Sequence, residues 1–129
     1  MKQRAAACPC GGCSYASCCE RWHRGEAAPS AELLMRSRYS AYALDLDVYL
    51  LATWHPKTRP ALQDRQSQPA RWLGLDVRSA QEHEDEAVVE FIARYRIAGR
   101  AHRLHEASRF LRVDGRWFYL DGTFPKGRP

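Results

Sequence analysis

All five cysteines of the chain lie in one run, Cys8-Pro9-Cys10-Gly11-Gly12-Cys13-Ser14-Tyr15-Ala16-Ser17-Cys18-Cys19, and none occurs in the rest of its 129 residues. Cysteines that staple a fold are normally spread along it. Thiols packed this closely suit convergence on one ion. A Cys-x-Cys and a Cys-Cys element can each offer two sulfurs if the chain reverses between them, and Gly11-Gly12 permits the reversal because glycine tolerates left-handed dihedrals. Cys8, Cys10, Cys18 and Cys19 are therefore the candidate ligands. Zinc takes four soft ligands in a tetrahedron, which makes it the expected cofactor, and four thiolates leave no open position, so the site is structural rather than hydrolytic. An iron–sulfur cluster also takes four thiolates, and a redox or unmetallated segment is the remaining alternative. Cys13 is surplus: a free thiol, a competing ligand or an oxidation-prone one.

The residues that must position this cluster follow it. Residues 1–28 are rich in Cys, Gly and Ala and have no helical or strand period, so metal or packing on the rest of the chain must hold them. Ser30 is a good N-cap for a helix over Ala31–Ala43, with Leu34, Arg38, Ala41 and Tyr42 on one face. Asp45 is placed to cap a second helix, Leu46–Thr53, with Val48, Leu51 and Ala52 inward and Pro56 ending it. Residues 55–69 read as a loop with a short helix over Leu62–Ser67.

The second half reads as strands. Leu73, Leu75 and Val77 alternate on one face, the acidic run Glu82–Glu86 interrupts pairing, and a long strand spans Ala87–Ile97. Ala98-Gly99 turns into a third strand, Ala101–Val113. Asp114-Gly115 is a type I′ hairpin signal leading to Arg116–Asp121, with a loose tail from Gly122 to Pro129. These turns pair Leu111 with Phe118, Phe110 with Tyr119, Ser108 with Asp121, Phe91 with Glu106 and Ala93 with Leu104. One face then carries Phe91, Glu106, Ser108, Phe110, Tyr119 and Asp121 among apolar neighbours, and is the face the helices cover. The other carries Glu90 and Arg109, near enough to pair, and permits a dimer contact.

Arg36, Arg38, Tyr39, Trp54, His55, Glu106, Tyr119 and Asp121 are the polar and aromatic residues expected to reach the space between helices and sheet. A buried carboxylate beside aromatic rings can act as an acid or base, so Glu106 or Asp121 is the candidate. The competing reading is that either pairs with Arg36, Arg38 or Arg109. His55 reads as a cap on the last helical turn or as a proton shuttle. His102 and His105 point to opposite faces of their strand. Ser37, Ser40 and Ser108 lack a nucleophile elbow, and there is no glycine-rich phosphate loop.

Composition bounds the class. A 45% hydrophobic, 27% charged chain of this length suits one soluble domain. No apolar run approaches the roughly 20 residues of a spanning helix. The N-terminal residues have no apolar h-region, so neither a secretory signal nor a lipoprotein leader is expected and the cytoplasm is the default location. The formal charge of +5 permits nucleic-acid binding.

The run Cys8-Pro9-Cys10-Gly11…Tyr15…Cys18-Cys19 resembles the SEC-C zinc motif, named for the C-terminus of the SecA translocase, though one residue shorter than usual. The resemblance continues through Glu32–Tyr42, Tyr49–Pro56, Trp72–Leu75, Phe91–Tyr95, Ser108–Phe110 and Trp117–Gly122, and over nearly the whole chain it is to the bacterial YchJ-like proteins. It implies an α+β fold: an N-terminal zinc knuckle over 1–28, then a nuclear-transport-factor-2-like cone over 29–122, helices packed on a curved, mainly antiparallel four-stranded sheet, and a flexible tail over 123–129. The function expected first is a zinc-binding adaptor that meets a protein partner through the knuckle, since the SecA motif binds partners, and not an enzyme. A small enzyme or ligand binder using the cone pocket is the alternative, and nucleic-acid binding the third. No membrane association is expected.

Overall fold

The computed structural model describes residues 7–12, 14–61 and 70–125. Cys13, the Leu62–Ser67 helix and the end of the tail fall outside them. After a single 3-10 turn at Tyr15–Ser17 come α1 (Glu20–His23), α2 (Ala31–Ala43), α3 (Asp47–Ala52) and four strands, β1 (Arg71–His83), β2 (Glu86–Ile97), β3 (Arg100–Val113) and β4 (Arg116–Thr123). The strands form one antiparallel sheet in chain order.

Helix α2 has the expected bounds and is the centre of the molecule. Ser30 Oγ accepts from Leu33 N–H at 3.1 Å, and Glu82 Oε2 accepts from Ala31 N–H at 2.9 Å, so two of the four free N-terminal donors are satisfied. Leu34, Met35, Arg38, Tyr39 and Ala41 are buried, and so are Ser37 and Ser40. A helix buried on nearly all sides needs partners for its polar residues. The cysteine segment covers one flank and the sheet the other.

Helix α3 departs from expectation. Its N-cap is Leu46, with no side-chain cap bond, and Asp45 instead sits at φ 59° just past the end of α2. Leu50 is the fully buried residue, whereas Val48 is 78% exposed and Ala52 is exposed. The left-handed residue turns the chain sharply, so α3 presents a different side to α2 than an Asp45 cap would give.

The sheet keeps the expected hairpins. Ala98-Gly99 (φ 51° and 80°) and Asp114-Gly115 (φ 52° and 81°) both turn through the left-handed region that a type I′ loop needs. Phe91 faces Glu106, Ala93 faces Leu104, Leu111 faces Phe118 and Phe110 faces Tyr119. Three details differ. The acidic run closes the β1–β2 hairpin rather than interrupting pairing: β1 runs to His83, and Arg112 bonds Asp85 Oδ1 at 3.0 Å and Glu84 O at 2.8 Å to tie the turn down. A register shift between Trp72 and Gly74 puts Leu73 outside, 44% exposed, while Trp72, Leu75 and Val77 pack on the core. A second shift, beside Tyr119, pairs Arg109 with Asp121 and Ser108 with Gly122. A bulge moves every following side chain to the other face. Asp121 is therefore on the outer face, and Gly122 and Thr123 belong to β4 rather than to a loose tail.

The free edge of β4 is covered. Tyr119 N–H donates to Thr53 O and His55 N–H to Tyr119 O, each at 2.8 Å, so the chain leaving α3 adds a short parallel bridge. The core is one continuous cluster from Cys8, Cys10 and Cys19 through Leu34, Met35 and Tyr39 to Val89, Phe91, Phe110 and Trp117.

Candidate functional site

Two places gather chemistry. In the first, the Sγ atoms of Cys8, Cys10, Cys18 and Cys19 all lie within 4.8 Å of one another. Cys10 and Cys18 Sγ are 3.6 Å apart. A tetrahedron with metal–sulfur bonds of ~2.3 Å has edges of about 3.8 Å, so the donor set and spacing fit a tetrahedral thiophilic ion. Gly12 is required by this packing, because a Cβ there would lie 2.9 Å from Cys18 Sγ. The bend comes from Gly11, at φ 92°.

Three of the four sulfurs are buried against α2. Ser40 Oγ is 3.4 Å from both Cys8 and Cys19 Sγ, and Arg36 Nη1 donates to Cys10 O at 3.3 Å. The segment is anchored further by α1. His23 Nε2 lies 2.8 Å from Ser37 O, and its Nδ1 lies 2.7 Å from Tyr15 OH. A carbonyl can only accept, so His23 carries its proton on Nε2, and its Nδ1 accepts a hydrogen bond from the Tyr15 hydroxyl. Burial pushes the imidazole down from its usual value, and it stays neutral. Ser37 Oγ donates to Leu34 O at 2.8 Å and so accepts from Tyr49 OH at 2.7 Å, carrying the network to α3.

The sulfurs are not equivalent. Hydrogen bonds from Cys19, the Gly12 amide, Cys8 and Cys18 hold the Cys10 thiol down at about 5, against its burial. Burial and the neighbouring Cys10 thiolate push Cys18 up to about 12. The bond to Cys10 and burial push Cys19 up further. Cys10 is thus the thiol held down while Cys18 and Cys19 are pushed up, and a dication would favour the loss of their protons.

The second place is a cavity of about 280 Å³ between α2 and the inner face of the sheet. Met35, Tyr39, Tyr42, Trp72, Phe91 and Phe110 supply its apolar and aromatic wall, and Arg38, Glu106, Ser108 and Tyr119 its polar groups. Glu106 Oε2 accepts from Ser108 Oγ at 2.8 Å and from Tyr119 OH at 3.2 Å. Its seat exists because residue 122 is glycine, where a Cβ would fall on the carboxylate. Burial, then the Glu106 charge, pushes the Tyr119 phenol above its usual value. Arg38 uses both Nη1 protons on Leu50 O (2.8 Å) and Thr53 Oγ1 (2.7 Å), with its guanidinium 4.6 Å from the Tyr119 ring and 5.1 Å from that of Trp54. Burial lowers its pKa, with Tyr42, Tyr119, Tyr49 and Glu106 opposing, but an arginine keeps its charge.

Of the eight residues expected in this space, Arg38, Tyr39, Glu106 and Tyr119 line it. Arg36 turns to the cysteine segment and bonds Glu32 at 3.1 Å. Trp54 lies beneath Arg38, outside the lining, its indole N–H buried without a hydrogen-bond partner among the described residues. His55 does not line the cavity, and its Nδ1 accepts from Lys57 N–H at 3.0 Å in its own loop instead of capping the helical turn. Asp121 takes two 2.7 Å bonds from Arg109 on the outer face, and Glu90 pairs with His105 at 2.7 Å instead of with Arg109. Ser108 and Gly122 were missed as the seat of Glu106, and His23, Ser37, Ser40 and Tyr49 as anchors of the knuckle. A glycine inside a strand signals close approach, which is the sign Gly122 gave.

A helix-covered antiparallel cone with a four-cysteine knuckle folded onto its central helix defines an NTF2-like protein bearing a SEC-C-type metal segment. A family model described as "YchJ, middle NTF2-like domain" matches residues 30–122. A UPF0225 protein of Chromobacterium violaceum is 56% identical over 128 residues, covering 94% of this chain and 95% of that protein. Another from Methylibium petroleiphilum is 59% identical over 118 residues, covering 89% and 86%. The solution structure of a SEC-C motif containing protein from Rhodopseudomonas palustris superposes with a TM-score of 0.83 at 34% identity, covering 94% of this chain and 98% of that one. The crystal structure of a SEC-C motif containing protein from Psychrobacter arcticus gives 0.75 at 25% identity, covering 100% and 80%. The chain belongs to the YchJ family. No helix among the described residues is long and apolar enough to cross a membrane.

Proposed function

We propose that the protein is a zinc-binding adaptor. One Zn²⁺ held by Cys8, Cys10, Cys18 and Cys19 locks the N-terminal segment onto α2, and the surface formed where that segment meets the cone receives a protein partner. The observation that carries this reading is the convergence of four sulfurs within 4.8 Å under Ser40. The zinc supplies structural cross-linking, with no coordination position left for a substrate. The Ser40 hydroxyl and the Gly12 amide offset the excess negative charge that four thiolates bring. Four reduced thiols fit a reducing compartment, so the reading assigns the protein to the cytoplasm.

The partner surface of this reading is a groove of about 680 Å³. Residues Trp22–Ala28 form one wall and α3 with Trp117 and Phe118 the other, so its shape depends on the metal-held segment. The test compares proteins captured by wild type and by a Val48→Arg variant, which places a charge on the groove but leaves the cysteines untouched. A specific partner lost with Val48→Arg, at unchanged zinc content, supports the reading. Identical partners for both proteins contradict the adaptor role.

A second reading is favoured by the buried cation Arg38 and the carboxylate of Glu106, which both line the inner cavity. A small molecule with both an acceptor and a donor would satisfy both and fit the volume. Ligand-induced thermal shifts that vanish in Glu106→Gln and persist in Asp121→Asn would support it. Shifts that persist in Glu106→Gln would contradict it.

A further inference from the structure

The outer face of the sheet, at its β2–β3 turn end, carries a charge arrangement that the fold does not need. Arg71 on β1 stands directly opposite Arg96 on β2, and Arg94 on β2 directly opposite Arg103 on β3. Arg94 and Arg96 are two residues apart on one strand, so all four side chains share this face. All four are exposed. Directly opposed residues have Cβ atoms only about 5 Å apart, and like charges there destabilise a sheet. None of the four has a carboxylate partner among the described residues.

Of the acids on this face, Asp76 pairs with Arg78 at 3.3 Å, Glu90 with His105 at 2.7 Å and Asp121 with Arg109 at 2.7 Å, while Glu86 stands at the first position of β2, the opposite end from Arg94 and Arg96. Neighbouring register positions hold Gly74, beside Arg94, and Ala101, opposite Arg96. Among the described residues, these small neighbours leave the guanidinium groups open to an incoming partner. A local rule broken without compensation inside the fold is the mark of a surface kept for something outside it.

We propose that this four-arginine patch, Arg71, Arg94, Arg96 and Arg103, binds the phosphate backbone of a single-stranded nucleic acid. Arginine forks bind phosphate in two-point fashion, which lysine cannot do. The patch spans three strands at about 4.8 Å each, wide enough for successive phosphates rather than one small anion. His102 and Tyr95, which alternate with these arginines, stack on each other on the opposite face of the sheet and take no part in the patch. The exposed guanidinium planes themselves give unpaired bases a stacking surface, which a duplex with its bases already stacked does not use.

The experiment measures fluorescence anisotropy of a labelled 20-nucleotide oligouridylate with zinc-loaded protein. A duplex of the same length and phosphatidylserine vesicles are run in parallel. Binding of the single strand is expected, with a log–log salt slope of about −2.8 for four phosphates, hence about sevenfold weaker from 100 to 200 mM salt. An Arg94→Glu/Arg103→Glu variant is expected to bind at least about tenfold more weakly, since both contacts are reversed. Arg109→Ala should bind as wild type, since its charge is already paired. A single Arg103→Glu places an acid opposite Arg94, and should raise the melting temperature while weakening binding, a pair of changes that damaged folding would not produce. No binding at 50 mM salt, undiminished binding by the double variant, or preference for the duplex or the vesicles would overturn the proposal.

Discussion

Replacing Gly122 by alanine tests how the inner carboxylate is held. The new Cβ would fall on the Glu106 carboxylate, with the Glu106 Cγ only 2.9 Å away. Glu106 is long enough to rotate aside, so the cost is the loss of its seat rather than a steric overlap. The bonds from Ser108 at 2.8 Å and Tyr119 at 3.2 Å would both break. A hydrogen bond to a charged group contributes about 1.5–3 kcal/mol, and the longer bond belongs at the low end, so the expected loss is about 2–4 kcal/mol. For a domain of this size that lowers the melting temperature by about 10 °C. The assay is thermal and urea unfolding of the zinc-loaded protein in a double-mutant cycle with Glu106→Ala. With the carboxylate gone, Gly122→Ala has nothing to displace and should be close to neutral, so the double variant should be no less stable than Glu106→Ala. Losses that add to within about 0.5 kcal/mol would show that the two residues do not interact and would refute the seat.

Other outcomes follow from the same contacts. Ser40→Ala removes the hydroxyl shared by Cys8 and Cys19 and should weaken zinc binding by about 10–100-fold in a competition assay with a chelating dye, while leaving one zinc per chain at saturation. Zinc affinity should fall with pH. Cys10 is already a thiolate at pH 7, whereas Cys18 and Cys19 are held protonated, so binding displaces at least two protons and the affinity should drop about 100-fold per unit from pH 8 to pH 6. A flat profile would contradict thiolate ligation. Phe110→Ala, at a fully buried site facing Tyr119, should cost about 3–5 kcal/mol in urea unfolding. Asp121→Asn breaks an exposed pair and should leave the melting temperature almost unchanged.

The parts of the fold that sequence reading recovered are those with local signals. Ser30 and the periodicity after it bound α2, and the two left-handed turn pairs set three strands in register. What was lost turned on single-residue events with no periodic trace. One bulge beside Tyr119 moved Asp121 from the inner face to the outer, and one left-handed residue, Asp45, rotated α3 so that Leu50 rather than Val48 is inside. The convergence of Cys8, Cys10, Cys18 and Cys19 was legible because five thiols in twelve residues admit few geometries. Their anchors were not, because buried serines in mid-helix look like surface serines until the segment that covers them is placed. Glu106 was found by residue type and register, while its partner Gly122 sat one position past the expected strand end.

The account rests on the cysteine cluster holding one zinc. Native mass spectrometry of untagged wild type and Cys19→Ser, with elemental analysis of the same samples, tests it most directly. One zinc per wild-type chain, lost in the variant, is the expected result. Wild-type protein that carries no metal, or carries iron, would contradict it.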